Sequence, residues 1–499
     1  MWKTVGVLRR DINYWQILTR SQSSEQSSAF GADLQNFLFW LTANGVRGIG
    51  RDDDKVALYT TASGERGLVC TKDIAEGESL LQIPLRLGII DEAPDELGDN
   101  LLEVSRLALQ LLDEVRMGDS SQRYPWLQVL PEHVPSLYGC FPEDLYSALQ
   151  GSVPEVDLRK ARHRAASEYT KIKEFGCVNN VTEDQFSWAI SVVHSRAFSI
   201  PGRQGDDDIS INMLMPLVDM LNHRGKECSF LLSDESEAVD NVRWDVVRPE
   251  ISDSGDWEMV VSATRAIESD EEAWLSYSTE PGSYFLLHYG FIPNRNQFEQ
   301  VTLFESIAGA VEWAIATCPP EGLPEGGKAR REWAIKTIQA AENAAPSMEP
   351  QHIDTQDKAN LVKFSAGSRL DDRLFAAWTS LAGGGNQGQW YATEALAKRC
   401  EELLRLPERT HLLEDLHIVA SSLPDEDGGY FPALREHYTQ AIRLLEEHDC
   451  VKTTMYQEQV PPVMSYLELQ AVKLRAFQKI LLWDALVQFH GSRRSVTSS

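Results

Sequence analysis

A short apolar run that ends in polar residues constrains the fold of this chain more than any other segment. It extends from Asn212 to His223 and reads NMLMPLVDMLNH. The run is too short to cross a membrane, so it predicts a buried strand or turn that carries Asp219, Asn222 and His223 inward. Buried polar groups need hydrogen-bond partners, which are either other protein groups or a ligand. The motif alone leaves a structural polar cluster and a binding site equally open.

Length and charge limit the classes of protein to consider. A chain of 499 residues is too long for one core and predicts two or three domains. The 47 basic and 75 acidic residues give a net charge of -28, which argues against a nucleic-acid partner and favours basic partners or simple solubility. The seven cysteines include no C-x-x-C pair, which indicates a reducing compartment and no zinc or other metal cluster.

The first 32 residues predict a disordered N-terminal extension. They are rich in Ser and Gln near their end, and no signal-peptide core precedes a cleavage-like site. A mitochondrial presequence is an alternative, but Asp11 and Glu25 count against it. No apolar run approaches the roughly 18 residues of a membrane helix. We therefore expect a cytoplasmic or nuclear protein without a membrane partner.

Strand-forming and helix-forming stretches alternate along the next part of the chain. A first helix is predicted at 33–41, and a helical region extends from about 93 to 190. The acidic, Ser-rich segment 233–256 predicts an exposed loop. The predicted strands are Val56–Tyr59, Gly67–Thr71, Ser79–Pro84, the 212–223 run, Trp257–Ala263 and Ala273–Tyr277.

The sequence after residue 297 predicts helices almost throughout. One clear stripe of apolar residues consists of Leu467, Ala471, Leu474, Phe477 and Leu481. This region contains no comparable cluster of titratable residues, so it is expected to bind or brace rather than to perform chemistry.

Three further motifs accompany the 212–223 run. They are Glu65-Arg66-Gly67-Leu68, Ser195-Arg196-Ala197-Phe198, and Trp274-Leu275-Ser276-Tyr277 followed by the segment 284–291. In this order and spacing, the four motifs resemble the SET-domain methyltransferases of the plant Rubisco large-subunit methyltransferase-like class. The resemblance spans roughly residues 33 to 490. It implies an α+β fold with a SET domain of small sheets at 33–293, a helical insertion at about 93–190, and an all-helical substrate-binding lobe at 297–490.

The same resemblance implies a cofactor, S-adenosyl-L-methionine, and a set of site residues. Arg196 matches the arginine near the methionine carboxylate, and Asn222 with His223 matches the pair that holds the methionine end and the adenine. Tyr277 and Tyr289 match the catalytic tyrosines of the lysine channel, with Tyr289 closest to the reacting centre. The residues implied to bind the cofactor are Glu65, Gly67, Leu68, Arg196, Phe198, Asn222, His223 and Tyr289.

Elementary chemistry agrees with these roles. A zwitterionic methionine tail needs a cation for its carboxylate and an oxygen for its ammonium, which Arg196 and Asn222 can supply. A tyrosine with a reference pKa near 10 stays protonated at pH 7 and suits positioning better than proton abstraction. Structural alternatives remain open: Tyr277 and Tyr289 as packed core tyrosines, Arg196 as a structural arginine, and His223 as a core histidine.

The sequence departs from the family pattern after Tyr277. The family usually has a glycine there and a Ser-Asn pair further on, whereas this chain has Ser278 and Pro281-Gly282. The Gly-Glu-Glu that commonly precedes the strand is replaced by the acidic triple 270–272. A Cβ at Ser278 puts the turn geometry or the cofactor affinity in question.

The function implied by the resemblance is a protein-lysine N-methyltransferase. Its expected substrate is a non-histone protein with a basic segment, such as a ribosomal protein, although a histone stays open, and the enzyme is expected to be a monomer. Methylation of a protein histidine is an alternative, because one branch of the class that acts on actin is similar in sequence. A catalytically inactive SET module that binds protein is a second alternative, for which Ser278 and Pro281 are the support.

Overall fold

Small sheets built from distant segments form the framework of this computed structural model. The structure describes residues 24–497 apart from 51–53, 61–65, 92–100, 135–147, 150–152, 175–180, 202–209, 229–235, 249–256, 345–360, 367–368, 407–409, 424–429 and 448–463. The described residues form two units. The first takes them from Met1–Cys140, Ala161–Gly225 and Val239–Ser278, and the second from Phe141–Lys160, Lys226–Ala238 and Thr279–Ser499.

The described strands are short. In chain order they are β1 Val56–Thr60, β2 Arg66–Cys70, β3 Ser79–Pro84, β4 Ile89–Ile90, β5 Ala197–Pro201, β6 Ser210–Leu214, β7 Asn222–His223, β8 Lys226–Cys228, β9 Ser236–Ala238, β10 Val242–Val247, β11 Glu258–Ala263, β12 Trp274–Leu275, β13 Gln300–Phe304, β14 Val362–Ser365 and β15 Arg369–Leu370.

The described helices fall into two groups along the chain. The first group is α1 Ser24–Ala43, α2 Glu103–Met117, α3 Tyr124–Leu127, α4 Val153–Glu174 and α5 Glu183–Arg196. The second is α6 Gly282–Tyr289, α7 Ile307–Thr317, α8 Gly327–Ala344, α9 Asp372–Leu381, α10 Gly385–Leu404, α11 Leu412–Ser421, α12 Tyr430–Glu447 and α13 Tyr466–Thr497. None of these helices combines the length and the apolar content that a membrane crossing requires.

A five-stranded sheet dominates the first unit, in the order β3-β11-β10-β12-β7. In β11, Met259, Val261 and Ala263 are buried and alternate with less buried residues, as a half-buried strand requires. Its edge strand β7 pairs in parallel with β12, so Asn222 lies opposite Trp274 and His223 opposite Leu275. The same unit holds the β1-β2 hairpin and the sheet β4-β6-β5. The 212–223 run therefore forms β6, a turn and β7, as predicted.

The second unit is mainly helical, but it is not all-helical as the sequence predicted. Three strands, β13, β14 and β15, form a sheet of their own, and β8 pairs with β9. The sheet was missed because β14 and β15 are only four and two residues long, too short to show a clear alternation. The predicted fold class, an α+β arrangement of small sheets followed by a largely helical region, is confirmed.

Two further predictions need correction. The segment predicted as an exposed loop at 233–256 contains β9 and all of β10. In β10, Val242 is buried and Trp244 half-buried, whereas Arg243 and Asp245 are exposed, so the strand pattern is present but was hidden by the acidic sequence around it. The first helix begins at Ser24, inside the predicted extension of 32 residues. Residues 1–23 lie outside the described part of the chain.

Candidate functional site

Asn222 lies at the centre of a partly buried polar cluster in the first unit. Its Nδ2 donates to the carbonyl oxygen of Arg66 and to Oε1 of Glu272, both at 2.8 Å. Because these two acceptors use both amide hydrogens, the orientation of the amide group is decided. The carbonyl oxygen Oδ1 is left as the acceptor that a ligand can use.

Gly67 is the residue that allows this cluster to close. A Cβ at this position would lie 2.5 Å from Oε1 of Glu272 and 2.7 Å from Nδ2 of Asn222. The glycine does not adopt a positive φ. A glycine is therefore required here because a side chain would not fit, and not because of the backbone conformation. Leu68 beside it is fully buried. Glu65, the other predicted residue of this motif, lies outside the described residues.

A second part of the cluster combines two guanidinium groups with one buried carboxylate. Arg196, the last residue of α5, donates through Nη1 to the carbonyl oxygen of Asp219 at 2.6 Å and approaches Oδ2 of the same residue at 3.4 Å. Burial and the nearby charge of Arg196 lower the pKa of Arg66 to about 10. Burial raises the pKa of Asp219 against the attraction of both arginines. Cations thus outnumber carboxylates in this part of the cluster.

One atom of Arg196 is poised for a further partner. Its Nε is buried and has no hydrogen-bond partner among the described residues. An unsatisfied buried donor destabilises a protein by about 1 to 3 kcal/mol unless a ligand or water completes it. The N–H of an arginine is a strong donor to a carboxylate. Arg196 can therefore bind an anionic group through Nε while it keeps its bonds to Asp219.

The turn that carries Asp219 is strained. Leu217, which precedes the short 3₁₀ helix Val218–Met220, has a φ of 72° and is completely buried. A left-handed conformation at a bulky residue costs on the order of 1 kcal/mol and persists only where the surroundings impose it. The strain places Asp219 beside β2, which packs against both the 3₁₀ helix and β7.

His223 is held as a neutral imidazole. Its Nδ1 accepts a hydrogen bond from the backbone N–H of Tyr277 at 3.0 Å, and burial lowers its pKa to about 4. The rings of His223 and Tyr277 lie 5.2 Å apart. A neutral ring with a fixed backbone donor suits a packing and positioning role better than proton transfer at pH 7.

Tyr277 is partly buried beside this histidine. Its hydroxyl donates to the carbonyl oxygen of Leu221. Burial strongly raises the pKa of the phenol, so it stays protonated at any physiological pH. Its oxygen still has lone pairs that can accept a hydrogen bond. The remaining predicted residue of this unit, Phe198, packs edge-on against Trp244 at 5.4 Å.

Tyr289 belongs to the second unit and is the last residue of α6. Its ring lies 5.4 Å from that of Phe285, 6.2 Å from Phe291 and 6.4 Å from Tyr284. The helix ends at Gly290, whose φ of 77° is the left-handed conformation that glycine adopts without cost. Tyr289 is therefore the half-buried member of an aromatic cluster at a sharp helix end.

Sequence reasoning missed Glu272 and Arg66 as members of the cluster. The sequence analysis treated Glu272 only as part of the acidic triple 270–272. It gave Arg66 no role of its own within the 65–68 motif. Glu272 is held against β2 by a bridge to Val69, and it reaches Asn222 because β12 and β7 run in parallel. The chain order alone does not reveal that pairing, since 50 residues separate Asn222 from Glu272.

Known proteins resemble this chain in sequence and in fold. No protein-family model matches the chain. It is 31% identical over 172 residues to the ribulose-1,5 bisphosphate carboxylase/oxygenase large subunit N-methyltransferase, chloroplastic, of Nicotiana tabacum, a match that covers 32% of this chain and 33% of that protein. It is 24% identical to the actin-histidine N-methyltransferase of Gallus gallus over 288 residues, 53% of this chain and 43% of that protein.

Solved structures extend the likeness over most of the chain. The SET domain of LSMT, crystallised with methyllysine and AdoHcy, aligns with a TM-score of 0.56 at 18% identity and covers 92% of this chain and 91% of that one. The matches are a likeness to Rubisco LSMT-like SET proteins in part of the sequence and in the fold. The identity of the solved structures is low enough that they establish the fold only. The chain spans a third of the tobacco protein and less than half of the chicken protein in the sequence matches.

Proposed function

We propose that this SET protein is an S-adenosylmethionine-dependent protein N-methyltransferase that acts on lysine. The observation that carries the proposal is the polarity of the Asn222 cluster. Both amide hydrogens of Asn222 are already used, so its oxygen is the group left to accept from a ligand, while the buried Nε of Arg196 is left to donate. An acceptor and a cationic donor in one cluster are what an amino-acid zwitterion requires.

The cluster fits the cofactor of the solved LSMT structures, which include complexes with AdoMet and AdoHcy. Arg196 would hold the carboxylate of the methionine part, and Oδ1 of Asn222 its ammonium. The neutral ring of His223 and the apolar face of Phe198 would lie against the rest of the cofactor. S-adenosylmethionine supplies a methyl group on a sulfonium, which passes to a neutral amine and leaves a thioether.

The side chains of this protein contribute positioning more than proton transfer. Tyr277 stays protonated because burial raises its pKa, so it cannot act as a base at pH 7. The target lysine has to lose its proton before it reacts, which costs roughly 4 kcal/mol at pH 7 for an amine with a reference pKa near 10.4. Tyr277 and Tyr289 are proposed to accept and orient this amine, so that catalysis rests on alignment.

The proposed substrate is a non-histone protein with a basic segment. The net charge of -28 supports a basic partner, because opposite charges on two proteins favour their encounter. A ribosomal protein meets this description. The protein is proposed to act as a monomer in the cytoplasm or the nucleus.

Histidine methylation is the second candidate. Its support is the match to the actin-histidine N-methyltransferase of Gallus gallus, which covers 53% of this chain. The two candidates share the cofactor site and differ in the residue that reacts. A SET module that binds protein without catalysis remains the alternative from a different class.

One experiment separates these candidates. The protein is incubated with S-adenosylmethionine labelled in its methyl group and with a lysate from cells depleted of methylation, and the labelled residue is located by mass spectrometry. Label on lysine supports the proposal, and label on histidine supports the second candidate. Absence of label from all proteins, with S-adenosylmethionine binding intact in a titration, would favour the inactive module.

A further inference from the structure

The short helix α6 lacks a local cap at its N-terminus. Its N-cap residue is Pro281, which has no side-chain group that can accept from the first-turn N–H groups. Two other helices of the same unit are capped by the side chain before them: Ser306 caps α7, and Asp371 caps α9. The free N–H groups of α6 therefore need partners from elsewhere in the chain.

Glu299, which immediately precedes β13, supplies such a partner. Its Oε2 accepts the backbone N–H of Gly282, the first residue of α6, at 3.2 Å. Its Oε1 accepts the backbone N–H of Gln300 at 3.1 Å, and the side chain is completely buried. A carboxylate at a helix N-terminus is favoured by the helix dipole. Glu299 thus ties the start of α6 to the strand that follows.

Gly282 is explained by the same contact. A Cβ at this position would lie 2.5 Å from Oε2 of Glu299, so no larger residue fits while the carboxylate is in place. The Pro281-Gly282 pair, one of the departures from the family pattern, is therefore half of a complementary arrangement with Glu299. Burial raises the pKa of Glu299 to about 7, which means that the environment disfavours the charged form of this carboxyl group.

The chain just beyond α6 is held by the long helix α13. The N–H of Ile292 donates to Oε1 of Gln470 at 2.8 Å, and Nζ of Lys473 donates to the carbonyl oxygen of Ile292 at 2.8 Å. Gln470 is buried. Both backbone groups of Ile292 are thus bonded to side chains one turn apart on α13. Tyr289 lies between this anchor and the one at Glu299.

We propose that Glu299, Gln470 and Lys473 form a clamp that holds both ends of α6 and thereby positions the Tyr289 hydroxyl. This inference rests on the function proposed above, because it assigns the three residues a purpose in the methyl-transfer reaction. The helix has eight residues and is about 12 Å long. Because it is short, a displacement of its first residue is passed on to its last residue, Tyr289. The C-terminal region then contributes to the reaction geometry in addition to any docking of substrate.

Two matched pairs of variants test the clamp. Glu299→Met and Gln470→Met remove an acceptor at nearly constant volume, whereas Glu299→Gln and Gln470→Glu retain an acceptor oxygen. With wild-type activity established, we expect the two Met variants to lower kcat about tenfold to a hundredfold. Their affinity for S-adenosylmethionine and the calorimetric stoichiometry are expected to stay unchanged, and the conservative variants are expected to restore most of kcat.

Hydrogen exchange provides a readout that does not depend on activity. The amides of α6 and of Gly290 are expected to exchange at least about tenfold faster in the Met variants, while those of α7 keep their wild-type rates. Unchanged exchange in α6 would overturn the clamp. Faster exchange with an unchanged kcat would overturn its link to Tyr289. If the wild-type protein transfers no methyl group, the proposed function fails, and the exchange rates still decide whether Glu299 and Gln470 hold α6.

Discussion

At the scale of single residues, the amide of Asn222 is the most informative group. Its two hydrogens bond to a backbone carbonyl and to Glu272, so its oxygen is oriented by the protein before any ligand arrives. Preorganisation of this kind reduces the ordering that binding requires. The neighbouring backbone of β2 can approach only because residue 67 is glycine.

This orientation predicts a difference between two substitutions of Glu272. Glu272→Ala removes one of the two acceptors that fix the amide, and we expect the affinity for S-adenosylmethionine to fall about tenfold. Glu272→Gln keeps an acceptor oxygen and is expected to lose less than about threefold. Isothermal titration calorimetry of both variants measures the difference. Equal losses would show that the charge of Glu272, and not its hold on the amide, is what matters.

Tyr289 carries a second prediction at this scale. If its hydroxyl orients the reacting amine, Tyr289→Phe should lower kcat far more than it lowers the affinity for cofactor. Tyr284→Phe makes the same change on the same helix and is expected to keep turnover within about twofold. Steady-state kinetics with an identified substrate distinguishes the two. Full activity of Tyr289→Phe, or an effect confined to cofactor binding, would move the catalytic role to another residue.

At the scale of elements, the sequence predicted strands well where apolar residues alternate or turn residues border them. β3 has the predicted bounds, β1 and β11 differ from prediction by one residue at one end, and β2 is shifted by one residue. The short sheet of β13, β14 and β15 was missed, as were β9 and β10, because acidic or helical surroundings obscured them. The partners of Asn222 were missed for a different reason: they depend on strand pairing, which local sequence does not encode.

The junction of α6 with β13 gives a prediction about pH. The pKa of Glu299 is about 7 in the folded protein against an ordinary value of 4.5, because the group is buried. Between these pH values the folded state binds more protons than the unfolded state, so the contribution of Glu299 to stability falls as the pH rises. The full effect is on the order of 3 kcal/mol.

Chemical denaturation at several pH values compares the wild-type protein with Glu299→Gln, which cannot titrate. We expect the free energy of unfolding of the wild type, relative to the variant, to decrease as the pH rises from 4.5 to 7. His223, with a pKa lowered to about 4, has the opposite sign and stabilises the fold as the pH rises from 4 to 6.5. His223 is present in both proteins, so its contribution to the free energy of unfolding cancels in the comparison. A pH-independent difference would contradict the role of Glu299.

At the scale of the whole molecule, the division into two units changes how the C-terminal region should be tested. Residues from Thr279 onward, including Tyr289, group with the second unit. A truncation near Asn296 would remove Glu299, Gln470 and Lys473 together with any docking surface. Loss of methylation in such a truncation would then not separate docking from positioning. The predicted domain limits of 33–293 and 297–490 remain predictions.

The charge of the chain supports a test of substrate docking that leaves the fold intact. A protein with a net charge of -28 should associate faster with a basic substrate at low ionic strength. We expect the association rate constant to fall as salt shortens the Debye length from roughly 10 Å at 0.1 M to roughly 3 Å at 1 M. Stopped-flow or surface binding measurements over this range test it. A rate that does not change with salt would argue against a basic partner.

The central claim is that the Asn222 cluster binds S-adenosylmethionine. Calorimetric titration of the cofactor into the wild-type protein and into Asn222→Ala tests it most directly, with Asn44→Ala as a matched control because Asn44 bonds Trp40 outside the cluster. Loss of a buried bond to a charged group costs about 1.5 to 3 kcal/mol, so the account predicts roughly ten- to a hundred-fold weaker binding in Asn222→Ala and unchanged binding in the control. Absence of binding by the wild type, or equal affinity in all three proteins, would contradict it.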